Sequence, residues 1–118
     1  MFNIYINYII LSLKFDSNQN RVQYYIFSTE SDLALPKIEL LAGQNLAQAR
    51  EQCLSKHTDL KLSWIDDQLL DIDQTDDNIH IYYMCRMPID TKIYNGQFIT
   101  ITTKELLSSH IQKAIRYA

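Results

Sequence analysis

The first apolar stretch of the chain has the composition of a buried strand. Positions 3–15 are rich in Ile, Tyr and Leu, and positions 8–11 are apolar without interruption. Residues of these types favour strands, and an unbroken apolar run is typical of a strand covered on both faces. Turn-forming residues at 16–21 separate this run from a second one at 22–28. The pattern predicts an antiparallel hairpin whose first strand is central in a sheet.

Positions 43–60 follow a helical rather than a strand period. The apolar residues that share one helix face are Leu46, Ala49, Cys53 and Leu54. Gly43 permits a tight turn before this segment, and Asn45 can cap it, with Gln48 placed to complete a capping box. This pattern predicts one amphipathic helix from about Leu46 to His57.

Further strands are predicted on both sides of this helix. Positions 37–41 form a short strand or extended segment. Positions 62–72 contain apolar residues on either side of Asp66-Asp67, which suggests a strand broken by a turn. An acidic loop is predicted at 71–78, and the β-branched and aromatic run at 79–87 predicts a buried strand.

The C-terminal part predicts a turn, a short strand and a closing helix. Tyr94-Asn95-Gly96 is a turn signal, and 98–101 follows it as a short strand. A helix is predicted at 104–117, with Thr102 or Thr103 as its cap. Since both helices are amphipathic, each should cover one face of the sheet. The pattern as a whole predicts an α+β fold with a mixed β-sheet between two main helices.

Composition favours one small domain without a membrane segment. The 118 residues are 47% apolar, which suits one core, so residues 1–118 are expected to form a single domain. The formal net charge is −3, so nothing favours nucleic acid or an acidic membrane as a partner. The apolar run at 1–15 is too short and polar to span a bilayer and is unlike a signal peptide. We therefore expect no membrane partner and a cytoplasmic location.

Side chains with metal-binding or catalytic potential are scattered along the chain. Cys53 and Cys85 lack the spacing of a zinc motif, so we expect two buried thiols, with a zinc site or a disulfide as the alternatives. His80 lies in an apolar strand, which favours a packed or partnered ring over a general base, and His110 is expected to be structural. The tyrosines that could line a core edge, a subunit interface or a nucleobase are Tyr24, Tyr25, Tyr82 and Tyr83.

Several segments resemble the sequence pattern of the Nudix superfamily. Positions 35–39, LPKIE, resemble the family's L-P-G-G-K-V-E segment without its two glycines, and 43–46, GQNL, resemble its G-E-x-L continuation. Aligned from there without a gap, the family's R-E-U-x-E-E-x-G-U falls on 52–60, QCLSKHTDL. The closing helix is also similar, since it ends in AIRY at 114–117. The resemblance implies a Nudix-like α/β/α sandwich over nearly the whole chain.

The resemblance also implies a chemistry whose ligands are missing at the matching positions. Nudix hydrolases cleave a nucleoside diphosphate linked to another group, and their glutamates hold Mg²⁺ or Mn²⁺ against the diphosphate. Shifting the alignment to use Arg50-Glu51 does not recover a pair of glutamates. The residues at the matching positions are Gln52, Cys53, Lys56 and His57. We therefore expect no catalytic residues, no metal ligands and no cofactor.

The predicted function is that of a catalytically inactive Nudix-like domain that binds or senses a nucleotide, or that acts as a protein-interaction module. Cationic side chains would bind phosphate directly in place of a metal. The candidate ligand-binding residues are Lys37, Glu39, Gln44, Arg50, Lys56 and His57. The expected partners are a nucleotide or nucleotide-sugar ligand, and a protein partner or a second copy of the chain in a homodimer.

The polar face of the first helix has a plainer interpretation, as the solvent-facing side of a domain retained for its shape. Its residues are Gln44, Gln52, Lys56 and His57. A second alternative is a divergent Nudix hydrolase that cleaves a nucleoside-diphosphate-linked substrate. It would use Mg²⁺ or Mn²⁺ held by displaced carboxylates such as Glu39, Asp66 and Asp67, although acidic turns are mostly solvated.

Overall fold

A computed structural model describes residues 2–101 and 108–118 and shows a mixed sheet with one helix on each face. The strands are β1 (Asn3–Asp16), β2 (Arg21–Ser28), β3 (Lys37–Glu39), β4 (Gln68–Gln74), β5 (Asn78–Arg86) and β6 (Gln97–Thr100). The helices are α1 (Leu46–Ser55) and α2 (Ser109–Tyr117). The predicted α+β fold, an α/β/α sandwich, is therefore confirmed. No helix in the described ranges is long and apolar enough to cross a membrane.

Strand β1 is the centre of the sheet, as its apolar run predicted. The strand order is β4-β5-β1-β2-β6, with β3 paired to β1 outside this path. β5 runs parallel to one edge of β1. β2 and β3 share the other edge: β2 pairs antiparallel with residues 11–16 of β1, and β3 with residues 5–7. A gap in the sheet therefore separates β2 from β3, and next to it the Tyr8 backbone N–H donates to the Pro36 carbonyl at 2.9 Å.

Two apolar cores lie on opposite faces of β1 because its side chains alternate between the faces. On the α1 side, Tyr8 packs in one cluster with Cys53 and Leu54. On the α2 side, Ile9 packs in a second cluster with Ile111. Each amphipathic helix thus covers one face of the sheet, as expected.

Both cysteines are free and buried in the core on the α1 side. Burial raises the pKa of the Cys53 thiol to about 11 and that of the Cys85 thiol to about 12. A thiol that remains protonated is a poor nucleophile and a poor metal ligand. The prediction of two ordinary buried thiols is confirmed.

The start of α1 follows local sequence rules closely. Gly43 adopts a φ of +82°, and the N-terminal cap is Asn45. The Gln48 backbone N–H donates to Asn45 Oδ1 at 2.8 Å, while the Asn45 N–H donates to Gln48 Oε1 at 3.0 Å. The predicted capping box is confirmed. The helix ends at Ser55, two residues before the predicted end at His57.

We expect Asn45→Ala to lower the free energy of unfolding by about 1 kcal/mol, because the Gln48 backbone N–H loses its side-chain acceptor at the first turn of α1. Urea denaturation of the two proteins measures this difference. Asn45→Ser is the matched control, since a serine hydroxyl can also accept at an N-cap and should retain most of the stability. Equal stability of the alanine variant and the wild type would show that the side-chain cap bond contributes nothing to stability.

The region after α1 differs from the predicted strand broken by a turn. Leu62–Trp64 forms a short 3₁₀ turn rather than a strand. β4 then runs from Gln68 to Gln74, so Asp71 and Asp73 lie in a strand and not in the predicted acidic loop. A bulge between Leu69 and Asp71 turns Leu70 into the core on the α2 side. Pairing with β5 and burial of Leu70 outweigh the low strand propensity of the two aspartates.

The C-terminal elements agree with the sequence where the structure describes them. β5 and β6 are strands as predicted, and Asn95 adopts a φ of +54° in the turn before β6. α2 is described from Ser109, and the Ser108 side chain accepts from the Ile111 N–H as its cap. The proposed caps Thr102 and Thr103, with the first part of the predicted helix, lie outside the described residues.

Candidate functional site

The helix face that the sequence resemblance aligns with the Nudix box carries side chains that do not suit Mg²⁺ or Mn²⁺. Gln44 Nε2 donates to Gln52 Oε1 at 2.7 Å, so these two amides satisfy each other. Cys53 is buried in the core, and Lys56 is exposed with a cationic head group. Hard divalent ions need several oxygen ligands, mostly carboxylates. The side chains at these aligned positions therefore do not fit the metal that the resemblance implies.

His57 is buried rather than displayed on the polar face of α1. The chain leaves the helix at Ser55, and the His57 side chain turns inward with 7% of its surface exposed. Its Nδ1–H donates to the Tyr94 carbonyl at 3.1 Å, and its ring contacts Phe27 at a centroid distance of 5.0 Å. The solvent-facing interpretation of His57 was wrong, because the helix ends before it could place the ring outside.

Arg50 is held in an ion pair with Asp67, which leaves it poorly placed for phosphate. The Arg50 guanidinium donates to Asp67 Oδ1 and Oδ2 at 2.7 Å, and its plane lies over the Tyr83 ring at 4.6 Å. The Tyr8 hydroxyl donates to Asp67 Oδ2 at 2.8 Å, and burial raises the pKa of this phenol. The Asp67 side chain is 7% exposed. The expectation of a solvated acidic turn is wrong for Asp67.

The other carboxylates proposed as displaced metal ligands do not gather at one point. Glu51 Oε2 accepts the Leu62 backbone N–H at 3.3 Å. Glu39 is exposed on β3, and Asp66 is exposed before β4. Within the described ranges, the group of three potential metal ligands that does form lies elsewhere. It consists of Asp71, Asp73 and His110, none of which belongs to the box.

A cavity of about 620 Å³ lies where β3 and the 29–35 segment face strands β1 and β5. It brings together Lys37 and His57, two of the candidate residues, with Asn7 and Tyr82. The candidates Glu39, Gln44, Arg50 and Lys56 do not line it. The remaining lining residues are Thr29, Glu30, Ala34 and Leu35. Because it gathers two of the candidate residues at one concave surface, this cavity is a candidate binding site.

Aromatic and imidazole rings extend from this cavity across the α2 face of the sheet. Tyr5 stacks on His80 at 5.2 Å, and His80 lies 6.3 Å from Tyr82. Tyr82 stacks in turn on His110 at 4.0 Å. The Asn7 amide nitrogen lies 3.2 Å from His80 Nδ1. His80 is thus a partnered ring, as predicted.

The chemistry of the cavity suits a ligand with an anionic part and a planar part. Lys37 Nζ lies 5.2 Å from the centroid of the Tyr5 ring, so the cation sits beside an aromatic surface. An ammonium group can bind a phosphate by charge-assisted hydrogen bonds. Tyr82 is half-buried, and burial raises the pKa of its hydroxyl, with the nearby Asp73 and Asp71 adding to the effect. The phenol therefore stays neutral and can donate a hydrogen bond. The Glu30 carboxylate limits how much negative charge this cavity accepts.

Sequence reasoning missed Asn7 as a cavity residue because its neighbours come from distant parts of the chain. The parallel pairing of β1 with β5 sets Asn7 beside Tyr82 and Tyr5 beside His80. The antiparallel pairing with β3 sets Lys37 on the other side of Asn7. Local periodicity predicts each strand but not which strands become neighbours.

Comparison with solved structures identifies the fold. No protein-family model matches the sequence, and no curated protein matches it. A mutT/nudix family protein from Listeria innocua superposes with a TM-score of 0.58 at 14% identity over 73% of this chain and 65% of that chain. A MutT/nudix family protein from Enterococcus faecalis superposes with a TM-score of 0.59 at 9% identity, over 87% of this chain and 45% of that chain. A putative nudix hydrolase family member from Chromobacterium violaceum superposes with a TM-score of 0.58 at 17% identity, over 99% of this chain and 77% of that chain.

These similarities show that the chain has the Nudix-like fold. The chain spans less than two thirds of the length of the Listeria and Enterococcus proteins, at 65% and 45%. At identities of 9–17%, the functional roles of residues in those proteins cannot be assigned to residues of this chain. The function must therefore be argued from the side chains of this chain.

Proposed function

We propose that the chain is a non-hydrolytic Nudix-like domain that binds a nucleotide or nucleotide-sugar in the cavity beside β3. The observation that carries this proposal is the set of side chains at the box positions. Cys53 and His57 are buried, and Lys56 places a cation where a hydrolase needs carboxylates. Binding without hydrolysis is the function that this arrangement supports best.

The cavity supports the binding half of the proposal. A volume of about 620 Å³ is in the range of small-molecule sites, which extends from roughly 300 to 1,000 Å³. Lys37 supplies the charge for one phosphate, and the Tyr82 ring offers a surface for a planar group. Among the candidate lysines, Lys37 therefore takes the role that the sequence suggested for Lys56.

We expect a nucleotide-type ligand to raise the melting temperature of the wild-type protein in the presence of EDTA, because ligands that bind the folded state stabilise it. The panel consists of ADP-ribose, a UDP-sugar and ATP, each with and without Mg²⁺. Lys37→Ala should lose more than half of the shift, since it removes the phosphate donor. Lys56→Ala is the matched control and should retain the shift, because Lys56 does not line the cavity.

The same panel decides between binding and hydrolysis. A divergent hydrolase would release products from these compounds with Mg²⁺ or Mn²⁺, and product analysis by chromatography would detect it. The structure disfavours this activity, since Asp67 is paired with Arg50 and Glu51 with a backbone N–H. Metal-dependent turnover would reject the non-hydrolytic proposal. Absence of any shift with every compound would reject nucleotide binding and leave the protein-interaction module.

A further inference from the structure

An imidazole and two carboxylates meet between β4 and the first turn of α2. His110 Nδ1 lies 3.2 Å from Asp71 Oδ2, and His110 Nε2 lies 2.5 Å from Asp73 Oδ2. One ligand atom from each of the three residues lies within 4.8 Å of the others. These residues belong neither to the box nor to the lining of the cavity. They form the mixed nitrogen and oxygen donor set that transition metals bind in proteins.

Neighbouring groups orient two of the three donors, Asp71 and His110. The Ile72 backbone N–H donates to Asp71 Oδ1 at 3.0 Å, which leaves Oδ2 directed to the histidine. This N–H is the main reason why the pKa of Asp71 is lowered, with smaller effects from Lys113 and His110. Tyr82 stacks on the His110 ring at 4.0 Å and fixes its plane. Supporting contacts of this kind hold the ligands of metal sites in position.

We propose that Asp71, Asp73 and His110 form a binding site for a divalent transition-metal ion, with Zn²⁺ as the best fit. One imidazole nitrogen and two carboxylate oxygens suit Zn²⁺, whereas Mg²⁺ and Ca²⁺ prefer oxygen ligands alone. The inference does not depend on the proposed nucleotide binding. Three protein ligands leave a fourth position of the tetrahedral ion for water or an anionic group.

Binding requires a rearrangement of the side chains in this group. Ligand atoms bonded to Zn²⁺ at about 2.1 Å are at most about 4.2 Å apart, so a carboxylate rotation must shorten the widest separation. In the structure the two carboxylates lie at different ring nitrogens of His110, so one carboxylate must move toward the nitrogen that binds the ion. The ring nitrogen that binds the ion must carry no proton. The Lys113 ammonium, 3.9 Å from Asp71 Oδ2, competes with the ion and weakens its binding.

Isothermal titration of EDTA-stripped protein with ZnCl₂ near neutral pH tests the proposal. We expect one ion per chain, with little or no heat from MgCl₂. His110→Gln and Asp73→Asn should each weaken Zn²⁺ binding at least tenfold, because each removes one ligand. His80→Gln is the matched control, since His80 lies in the same row of rings but outside the group, and it should bind as the wild type does.

Three results would overturn the proposal: no saturable Zn²⁺ binding, wild-type affinity in His110→Gln, or an equal loss in His80→Gln. The absorption spectrum of the Co²⁺-substituted protein adds a separate readout. A site of nitrogen and oxygen ligands lacks a thiolate charge-transfer band. A band of that type would show that the ion binds Cys53 or Cys85 instead, which would reject this site. If His110→Gln does not fold, Asp73→Asn keeps the test decisive, because the Asp73 side chain is 48% exposed.

Discussion

Replacing Asp67 with alanine is expected to lower the free energy of unfolding by about 3–5 kcal/mol. The Arg50 guanidinium, 21% exposed, would lose the two Asp67 carboxylate oxygens as acceptors. The Tyr8 hydroxyl would lose its Asp67 acceptor as well. An unpaired charge in a partly buried position costs more than the pair itself contributes. The same pair holds the segment before β4 against α1 and the sheet. Its loss should therefore destabilise the α1 face as a whole.

Chemical denaturation followed by circular dichroism measures this effect, with Asp66→Ala as the matched control. Asp66 is the adjacent aspartate and is exposed, so its removal should change stability by less than about 0.5 kcal/mol. A triple variant with Arg50→Met, Asp67→Leu and Tyr8→Phe replaces all three polar partners and should recover at least half of the loss. A cost below about 1 kcal/mol for Asp67→Ala would mean that the ion pair is effectively solvated.

Replacing Gly96 with alanine is expected to lower the free energy of unfolding by about 3 kcal/mol, at the upper end of overpacking effects. A Cβ atom at this position would lie 2.4 Å from Cζ of Phe27 and 2.5 Å from the Ser28 carbonyl oxygen. Phe27 is fully buried against His57 and Phe98 and cannot move aside without opening the core. The Ser28 carbonyl belongs to the backbone of β2. Removing its clash with the new methyl group would therefore shift β2 relative to β6 and disturb their pairing.

Gly43→Ala is the matched control for this prediction, because these are the two glycines of the chain. A Cβ atom at Gly43 would have no neighbour within 4 Å, so it would not be overpacked. The φ of +82° would instead strain the backbone of any residue with a side chain. Its replacement should cost about 1–2 kcal/mol. Thermal unfolding of both variants should rank Gly96→Ala as the less stable. The reverse order would show that the β2–β6 end of the sheet yields easily to an added methyl group.

Tyr82 connects the two binding proposals in space. It lines the cavity beside Lys37, and its ring stacks on His110 in the proposed metal group. An ion at Asp71, Asp73 and His110 would therefore lie next to one wall of the nucleotide cavity. The two proposals still have separate measurements, since Lys37→Ala acts on ligand stabilisation in EDTA and His110→Gln acts on Zn²⁺ binding.

The local structure of the chain follows from its sequence to a large extent. The turn-rich segment between two apolar runs produces the β1–β2 hairpin, and Asn45 and Gln48 cap α1 as their types and spacing indicate. The positive φ of Gly43 and the turn at Asn95 were likewise expected from residue type. Each of these features depends on residues within a few positions of each other, so backbone sterics and short-range hydrogen bonds suffice to predict them. The box-like segment also indicated the Nudix-like fold, which the similar solved structures show.

The position of the candidate sites could not be derived from the same rules. Arg50 and Asp67 are 17 residues apart, and Asp73 and His110 are 37 apart, yet each pair is in direct contact. His57 is buried because α1 ends before it, and the polar character of this residue did not predict that burial. Residues distant in the chain become neighbours only when the strands pair and both helices pack on the sheet. Because that packing is selected by the total burial of apolar surface, the local sequence around a polar residue does not specify its partner.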